Sequence, residues 1–189
     1  MPVILIVPKR FEDKRGWFSE TWHRERFRDL GVDVDFVQDN QSLSRPAGVV
    51  RGLHFQTPPD GQAKLVRCVR GRIRDVAVDV RRGSPTFGQW VAAELTAERG
   101  EQLFVPVGFA HGFITLEPDT EVAYKVSAPY APQSDGGIAW NDPMIGVDWQ
   151  SPVALPIVSE KDAALPHLND FDSPFPYDGR PLTPIDGQA

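Results

Sequence analysis

Leu65–Arg82 carries the pattern that most constrains this chain. Ile73, Asp75, Ala77 and Asp79 alternate with Arg74, Val76, Val78 and Val80. That is the two-residue period of a strand with one apolar face, not the 3.6-residue period of a helix. Gly71–Arg72 fits the tight turn of a hairpin joining this strand to Lys64–Val69. Similar segments recur. Trp90–Leu95, Gln102–Val105, Phe113–Leu116 and Val122–Val126 read as strands, with turn-forming Gly83–Gly88, Glu98–Gly100, Pro106–Gly108 and Pro118–Asp119 around and between them. Upstream, Val3–Val7, Val32–Gln38 and Val49–Gln56 also read as strands, and Asp39–Gly48, polar and holding Pro46, as a loop. Asp13–Gly16 is a turn candidate inside the aromatic-bearing run Phe11–Trp22. Arg24–Leu30, stopped by Gly31, and Ser159–Ala164 are short helix candidates. Many short strands with regular punctuation predict an all-β closed barrel or sandwich with short flanking helices.

The 189 residues suffice for one domain with a sizeable core, so residues 1–189 read as a single unit. After Asp170 the strand pattern fades, and Pro174, Pro176, Pro181 and Pro184 predict an irregular tail over residues 171–189. A formal net charge of −6 argues against a nucleic-acid partner, although a local Arg cluster could still hold a small polyanion. The single Cys68 lies between Val66 and Val69, which predicts a buried, inert thiol. No disulfide can form within one chain, which fits a reducing cytoplasm. Val3–Val7 is too short for a signal-peptide core, and Lys9 and Arg10 follow it instead of preceding it. No segment approaches a transmembrane span, so no membrane association is expected.

Residues able to carry chemistry cluster around Gly48–Cys68. Gly52, His54 and Gln56 share one face of a strand, and Leu53 and Phe55 the other. His54 reads either as a surface or hydrogen-bonded histidine, or as a base facing a cavity, since imidazole takes up a proton near neutral pH. Lys64 opens the next strand, and hairpin pairing would bring it near His54. There it could stabilise an anion; alone it would be a solvated strand end. Arg51 has the parity opposite to His54, but Gly52 between them could mark a bulge that re-aims a side chain. Pattern leaves open whether Arg51 holds phosphate or sits on the surface. Tyr124, in phase with Val122 and Val126, is either a core aromatic or a proton donor. Asp162 could orient His54 as a His–carboxylate partner or be an exposed helix-start residue.

Gly100, Pro106, Gly108 and His111 match half of the second cupin motif, in which the histidine binds metal. The H-x-H pair of the first motif is missing, because Phe55 and Gln56 follow His54. Four histidines in the chain, with His23 and His167 badly placed, do not supply a transition-metal ligand set. A cupin barrel without a metal is the reading these residues favour.

The runs DKRGWFSE, FVQDNQS, GVVRGLHFQ, AKLVRCVRG, DVAVDVRRGSPTFGQW, PVGFAHGF, AYK, WNDP and SEKD follow one another between about Phe11 and Leu165. In identity and order they resemble those of the dTDP-4-dehydrorhamnose 3,5-epimerase family. The resemblance implies a metal-free and cofactor-free cupin jelly roll that forms homodimers. It also implies inversion of C3 and C5 of dTDP-4-keto-6-deoxyglucose. By the same resemblance His54 is the base, Asp162 its partner, Lys64 the anion stabiliser and Tyr124 the proton donor. Substrate contacts fall on Arg15, Glu20, Gln38, Asn40, Arg51, His111, Asp135 and Lys161, with Asp135 standing where many relatives have Glu. The rival readings are a sugar-nucleotide epimerase inverting one centre, a metal-dependent cupin oxygenase and a non-catalytic sugar-binding cupin.

Overall fold

The computed structural model describes residues 1–185 and the backbone of Gly187–Gln188. Along the chain lie β1 (Ile4–Ile6), β2 (Arg10–Asp13), β3 (Gly16–Ser19), α1 (Arg24–Asp29), β4 (Gln38–Ser44) and β5 (Val50–Gln56). Then follow β6 (Lys64–Arg70), β7 (Arg72–Asp79), β8 (Trp90–Thr96), β9 (Gln102–Val105), β10 (Phe109–Thr115), β11 (Thr120–Val126), β12 (Asp135–Gly137), α2 (Glu160–Ala163) and β13 (Gly187–Gln188). One sheet has the order β13-β1-β9-β6-β11-β4 and the other β12-β5-β10-β7-β8. The two sheets form a cupin-type jelly roll, and β2 and β3 pair as a separate hairpin.

Three apolar layers explain why the strands are so thoroughly buried. Between the sheets lie Val66, Cys68, Ile73, Ala77, Leu95, Leu103, Val105, Phe109, Phe113 and Val122. Outside the second sheet, Leu53, Phe55, Val76, Val78, Val80, Ala110 and Ile114 are covered by Ile138, Ile145, Trp149, Leu168 and Phe175. Outside the first, Ile4, Ile6, Leu65 and Phe104 are covered by Phe27 and Val32 around α1. Each fully buried aliphatic or aromatic side chain contributes about 1.5–3 kcal/mol relative to exposure. The alternation in Ile73–Val80 therefore separates two different buried faces instead of one apolar face from solvent. Cys68 lies in the middle layer, and burial pushes its thiol up to about 11, as expected of an inert cysteine.

Three sequence expectations about pairing are overturned. β6 and β7 do not form a hairpin: β6 pairs with β9 and β11, and β7 with β8 and β10. Gly71 turns the chain from one sheet into the other with φ +78°, and a Cβ there would lie 2.5 Å from Thr120 Oγ1. Nor do β5 and β6 pair; they too belong to opposite sheets. Finally, residues 33–37 form no strand, and the polar run read as a loop is β4. Its propensity is poor, but β11 offers an edge, and Tyr124 sits opposite Asn40 and Val126 opposite Gln38. β1 has partners on both sides, β9 and β13.

The Pro-rich segment after Asp170 has no helix or strand from Phe171 through Ile185, yet it is pinned to the body. Phe175 is 2% exposed and packs edge-on against Phe55 with ring centroids 5.4 Å apart. Arg82 N–H donates to the Phe175 carbonyl at 2.8 Å. Arg81, itself buried, bridges the Asp79 carboxylate (2.7 Å) and that of Asp178 (2.6 Å). Phe175→Ala should therefore lower the unfolding free energy by about 3–5 kcal/mol, read as a lower urea midpoint with little change in slope.

Candidate active site

A strand irregularity assembles the site. β5 pairs with β10 in one register at His54–His111 and in another at Arg51–Phe113, so the ladder slips between them. Gly52, with φ +128°, sits in the slip against the opposite backbone; a Cβ would stand 2.6 Å from Gly112 Cα and 2.8 Å from the His111 carbonyl oxygen. The slip cancels the parity difference between Arg51 and His54, and both side chains line one cavity of about 440 Å³. Lys64, His111, Phe113, Tyr124, Ser159 and Asp162 line it too.

The slip also frees a backbone donor. Gly52 N–H reaches Asp162 Oδ2 at 3.2 Å, while Asp162 Oδ1 accepts from His54 Nε2 at 2.7 Å. Asp162 stands in the first turn of α2, capped by Ser159, whose Oγ accepts from the Asp162 N–H at 3.1 Å. Burial pushes the Asp162 carboxyl up, but the bonds from His54, Gly52 and Ser159 outweigh it and hold the group below the usual carboxylate range. With Nε2 donating to that carboxylate, Nδ1 of His54 is left as the acceptor nitrogen. The ring keeps 30% side-chain exposure, enough to exchange its proton.

Lys64 arrives from the other sheet. It is 9% exposed, and its Nζ donates to the His54 carbonyl oxygen at 3.3 Å. The two residues thus meet across the sandwich, not through the hairpin that the sequence suggested. Burial pulls the ammonium down to about 8, against the opposing pull of Asp75 and then Asp135. Tyr124 of β11 lies beside it, its hydroxyl pushed up by burial against the opposing pull of Arg51. Arg51 Nε donates to Ser44 Oγ at 3.2 Å, and another guanidinium nitrogen to the Leu43 carbonyl at 3.3 Å. His111 Nε2 donates to Asp75 Oδ1 at 2.6 Å, and burial pushes its imidazole down into the neutral form.

A second hollow of about 200 Å³ shares His54, Lys64 and Tyr124 and adds Gln38, Asn40, Tyr130, Asp135 and Lys161. Gln38 Nε2 donates to Asn40 Oδ1 at 2.8 Å. Asp135 accepts from the Tyr130 hydroxyl at 3.1 Å and pairs with Lys161. Ten of the twelve sequence-nominated residues therefore surround one continuous cleft. Arg15 and Glu20 do not. Arg15 projects from the β2–β3 hairpin and pairs with Asp13 at 2.6 Å, and Glu20 pairs with Arg26 at 2.9 Å. Sequence reasoning passed over Asp75 and Tyr130. Asp75 did give a signal, a carboxylate amid IRDVAVD; Tyr130 follows the last nominated strand and gave none. Among the described residues no three His, Cys, Asp or Glu side chains are grouped as metal ligands.

An exchangeable imidazole paired to a carboxylate, a buried ammonium and a phenol around one cleft of a jelly roll define an isomerase-class enzyme that moves protons. A profile of the dTDP-4-dehydrorhamnose 3,5-epimerase family matches residues 2–170. A protein of that name from Sinorhizobium fredii is 54% identical over 175 residues, 93% of this chain and 89% of its own length. One from Salmonella typhimurium is 51% identical, covering 88% and 91%. A crystal structure of the Legionella pneumophila dTDP-6-deoxy-D-glucose-3,5-epimerase with dTDP-4-keto-L-rhamnose superposes with a TM-score of 0.85 at 44% identity, covering 90% of this chain and 89% of that one. The chain belongs to the dTDP-4-dehydrorhamnose 3,5-epimerase family.

The slip at Gly52 generates a direct expectation. Gly52→Ala should lower stability by about 1–3 kcal/mol through backbone strain alone. Turnover should fall on the order of 10²-fold, because the residues on either side of the slip would be misaligned. Paired denaturation and rate measurements check both.

Proposed function

We propose that this chain, acting as one domain, inverts C3 and C5 of dTDP-4-keto-6-deoxyglucose on the route to dTDP-L-rhamnose. His54 is the base, Lys64 the enolate stabiliser and Tyr124 the returning acid. The observation that carries this reading is the His54–Asp162 pair opening onto a cavity that a buried lysine and a tyrosine enter from the opposing sheet.

The 4-keto group acidifies the hydrogens at C3 and C5. His54 Nδ1 takes one as a proton; the C–H electron pair moves into the ring and the carbonyl electrons move onto O4. The Lys64 ammonium faces that oxygen, a contribution worth about 2.7–4 kcal/mol of transition-state stabilisation for a preorganised donor. Tyr124 returns a proton to the carbon from the other face, the carbonyl re-forms, and the phenolate is reprotonated from solvent while His54 releases its proton. Each positioned acid or base adds roughly 10²–10⁴-fold. No cofactor or metal enters the balance. Asp162 fixes the imidazole tautomer. Arg51 and Lys161 are the cations suited to the diphosphate, Gln38, Asn40, His111 and Asp135 contribute neighbouring polar contacts, and Arg15 and Glu20 belong to the nucleotide end.

The β2–β3 hairpin supports a homodimer. It exposes Phe11, Trp17 and Phe18 at 54%, 56% and 68%, an apolar surface on a two-stranded element that cannot bury it alone. Arg15 on the same hairpin lies outside its own cleft, so a substrate contact by it would be made across an interface. Among the described residues no helix is long and apolar enough to cross a membrane, and the buried thiol of Cys68 suits a reducing cytoplasm.

Two measurements test this reading. In deuterated water with dTDP-4-keto-6-deoxyglucose, wild type should incorporate deuterium at C3 and C5 with inversion, and His54→Ala should lose both while binding dTDP within a few-fold, about 1 kcal/mol. Tyr124→Phe should still wash deuterium into the sugar but without inversion at the affected centre. Inversion at wild-type rate in either variant sinks the assignment; inversion at one carbon alone in the wild type makes it a single-centre epimerase. Separately, sedimentation at micromolar concentration should give a dimer, and Trp17→Asp should shift it toward monomer.

A further inference from the structure

Asp75 has no part in the chemistry outlined above, and its position asks for one. It lies in the middle of β7 with 0% exposure. Oδ1 accepts from His111, and Oδ2 is buried without a hydrogen-bond partner. Its neighbour on the same strand shows what a purely structural buried aspartate looks like. Asp79, equally buried, is saturated by Arg81, Ser84 and Thr86 at 2.6–2.9 Å. Leaving a buried carboxylate oxygen unpaired is costly and calls for a reason.

Lys64 has the complementary defect. Its buried ammonium donates to one carbonyl at 3.3 Å and forms no ion pair among the described residues. The charged and titratable groups lining the cleft with it are Arg51 and His54 from β5, His111 from β10, Tyr124 from β11, Tyr130, Asp135 from β12 and Lys161 and Asp162 from α2, and Asp75 of β7 stands behind His111, bonded to it. Two of the three carboxylates are already engaged. Asp135 is paired with the Lys161 ammonium, and Asp162 with His54 and Gly52. Asp75 is bonded only to an imidazole that burial keeps neutral. It is therefore the one carboxylate of the three whose charge is not spent on another cation or on a backbone donor.

We propose that Asp75 is a positioning residue for the reaction: it holds the buried Lys64 ammonium charged from a distance, leaving the ammonium's hydrogens free for the substrate oxygen. Direct contact would tie those hydrogens to the carboxylate and withdraw them from the cleft. Separation leaves two of the three ammonium hydrogens without a partner, and the enolate oxygen takes one of them. His111 holds the carboxylate in place through Oδ1 and adds no charge of its own. This inference rests on the reading of Lys64 as the enolate stabiliser.

The sign of the effect follows. Lys64 loses its proton near 8, and only the charged form stabilises the enolate, so turnover falls as pH rises through that value. Removing the Asp75 charge removes an influence that favours the ammonium, so the fall moves to lower pH. Asp75→Asn should shift the basic limb of kcat down by about one pH unit. It should leave KM within about two-fold, and at pH 6 recover much of the turnover lost at pH 8. Asp75→Glu, retaining the charge, should keep the limb close to its wild-type position. So should His111→Asn, at whatever rate remains. A structural role alone would lower kcat at every pH without moving the limb.

Lys64→Met serves as the control on the underlying assignment. If its residual activity keeps a basic limb at the wild-type position, the limb is not that of Lys64 and the role given to that residue under the proposed function fails. If the limb vanishes there but is unmoved in Asp75→Asn, the inference about Asp75 alone is overturned. Should Asp75→Asn not fold, ¹³C NMR of reductively methylated protein decides it. The Lys64 resonance of Asp75→Ala should titrate about one pH unit below that of wild type and Asp75→Glu, and coincident titrations in all three proteins overturn the proposal.

Discussion

The slip in the β5–β10 ladder at Gly52 is the constraint on which the site depends. A regular ladder would send Arg51 and His54 to opposite faces of the sheet, and the Gly52 N–H would be spent on pairing. The slip places both side chains in one cavity and releases that N–H to Asp162. The helical turn carrying Asp162 is only four residues long and could not hold a carboxylate rigidly by itself. Its orientation comes from two donors to the carboxylate, His54 and Gly52, and from the Ser159 hydroxyl, which accepts from the Asp162 N–H. A backbone irregularity thus does the work that a larger element would do elsewhere.

A second consequence of the architecture is the contrast between its two histidines. His54 and His111 are cross-strand partners, and each donates Nε2 to an aspartate at 2.6–2.7 Å. Their surroundings separate them. His54 stands at the cleft with 30% of its side chain open, the access to solvent that the proposed base needs. His111 is 8% open and pushed neutral by burial, so it works as a fixed hydrogen-bonding group beside a buried charge. Similar pairs therefore serve different ends because one lies on the edge of the water and the other behind it.

Burial of both faces of both sheets makes this possible. With apolar layers inside and outside, the strands that carry Lys64 and Asp75 are packed on both faces, which is the support the proposed placement of Asp75 needs. The tail after Asp170 contributes to that rigidity by seating Phe175 on the outer layer and by tying Asp178 to Arg81.

Much of this was legible in the chain itself. Period-two alternation and turn residues marked most of the strands, because local sterics and the side-chain period act over a few residues. The motifs named His54, Lys64, Tyr124 and Asp162 together, because their order along the chain is characteristic of the family. What tertiary structure decided was pairing. Gly71 reads as a hairpin turn, but whether a turn closes a hairpin or carries the chain to another sheet depends on which partners β6 and β7 find far away in sequence. Asn40 and its neighbours from Asp39 to Ser44 read as loop, because a polar run becomes a strand only when a neighbouring edge such as β11 supplies its hydrogen bonds. The charge on Lys64 and the neutrality of His111 lay equally beyond the sequence. Both are set by burial and by carboxylates on other strands, and desolvation is a property of the packed fold, not of the residue.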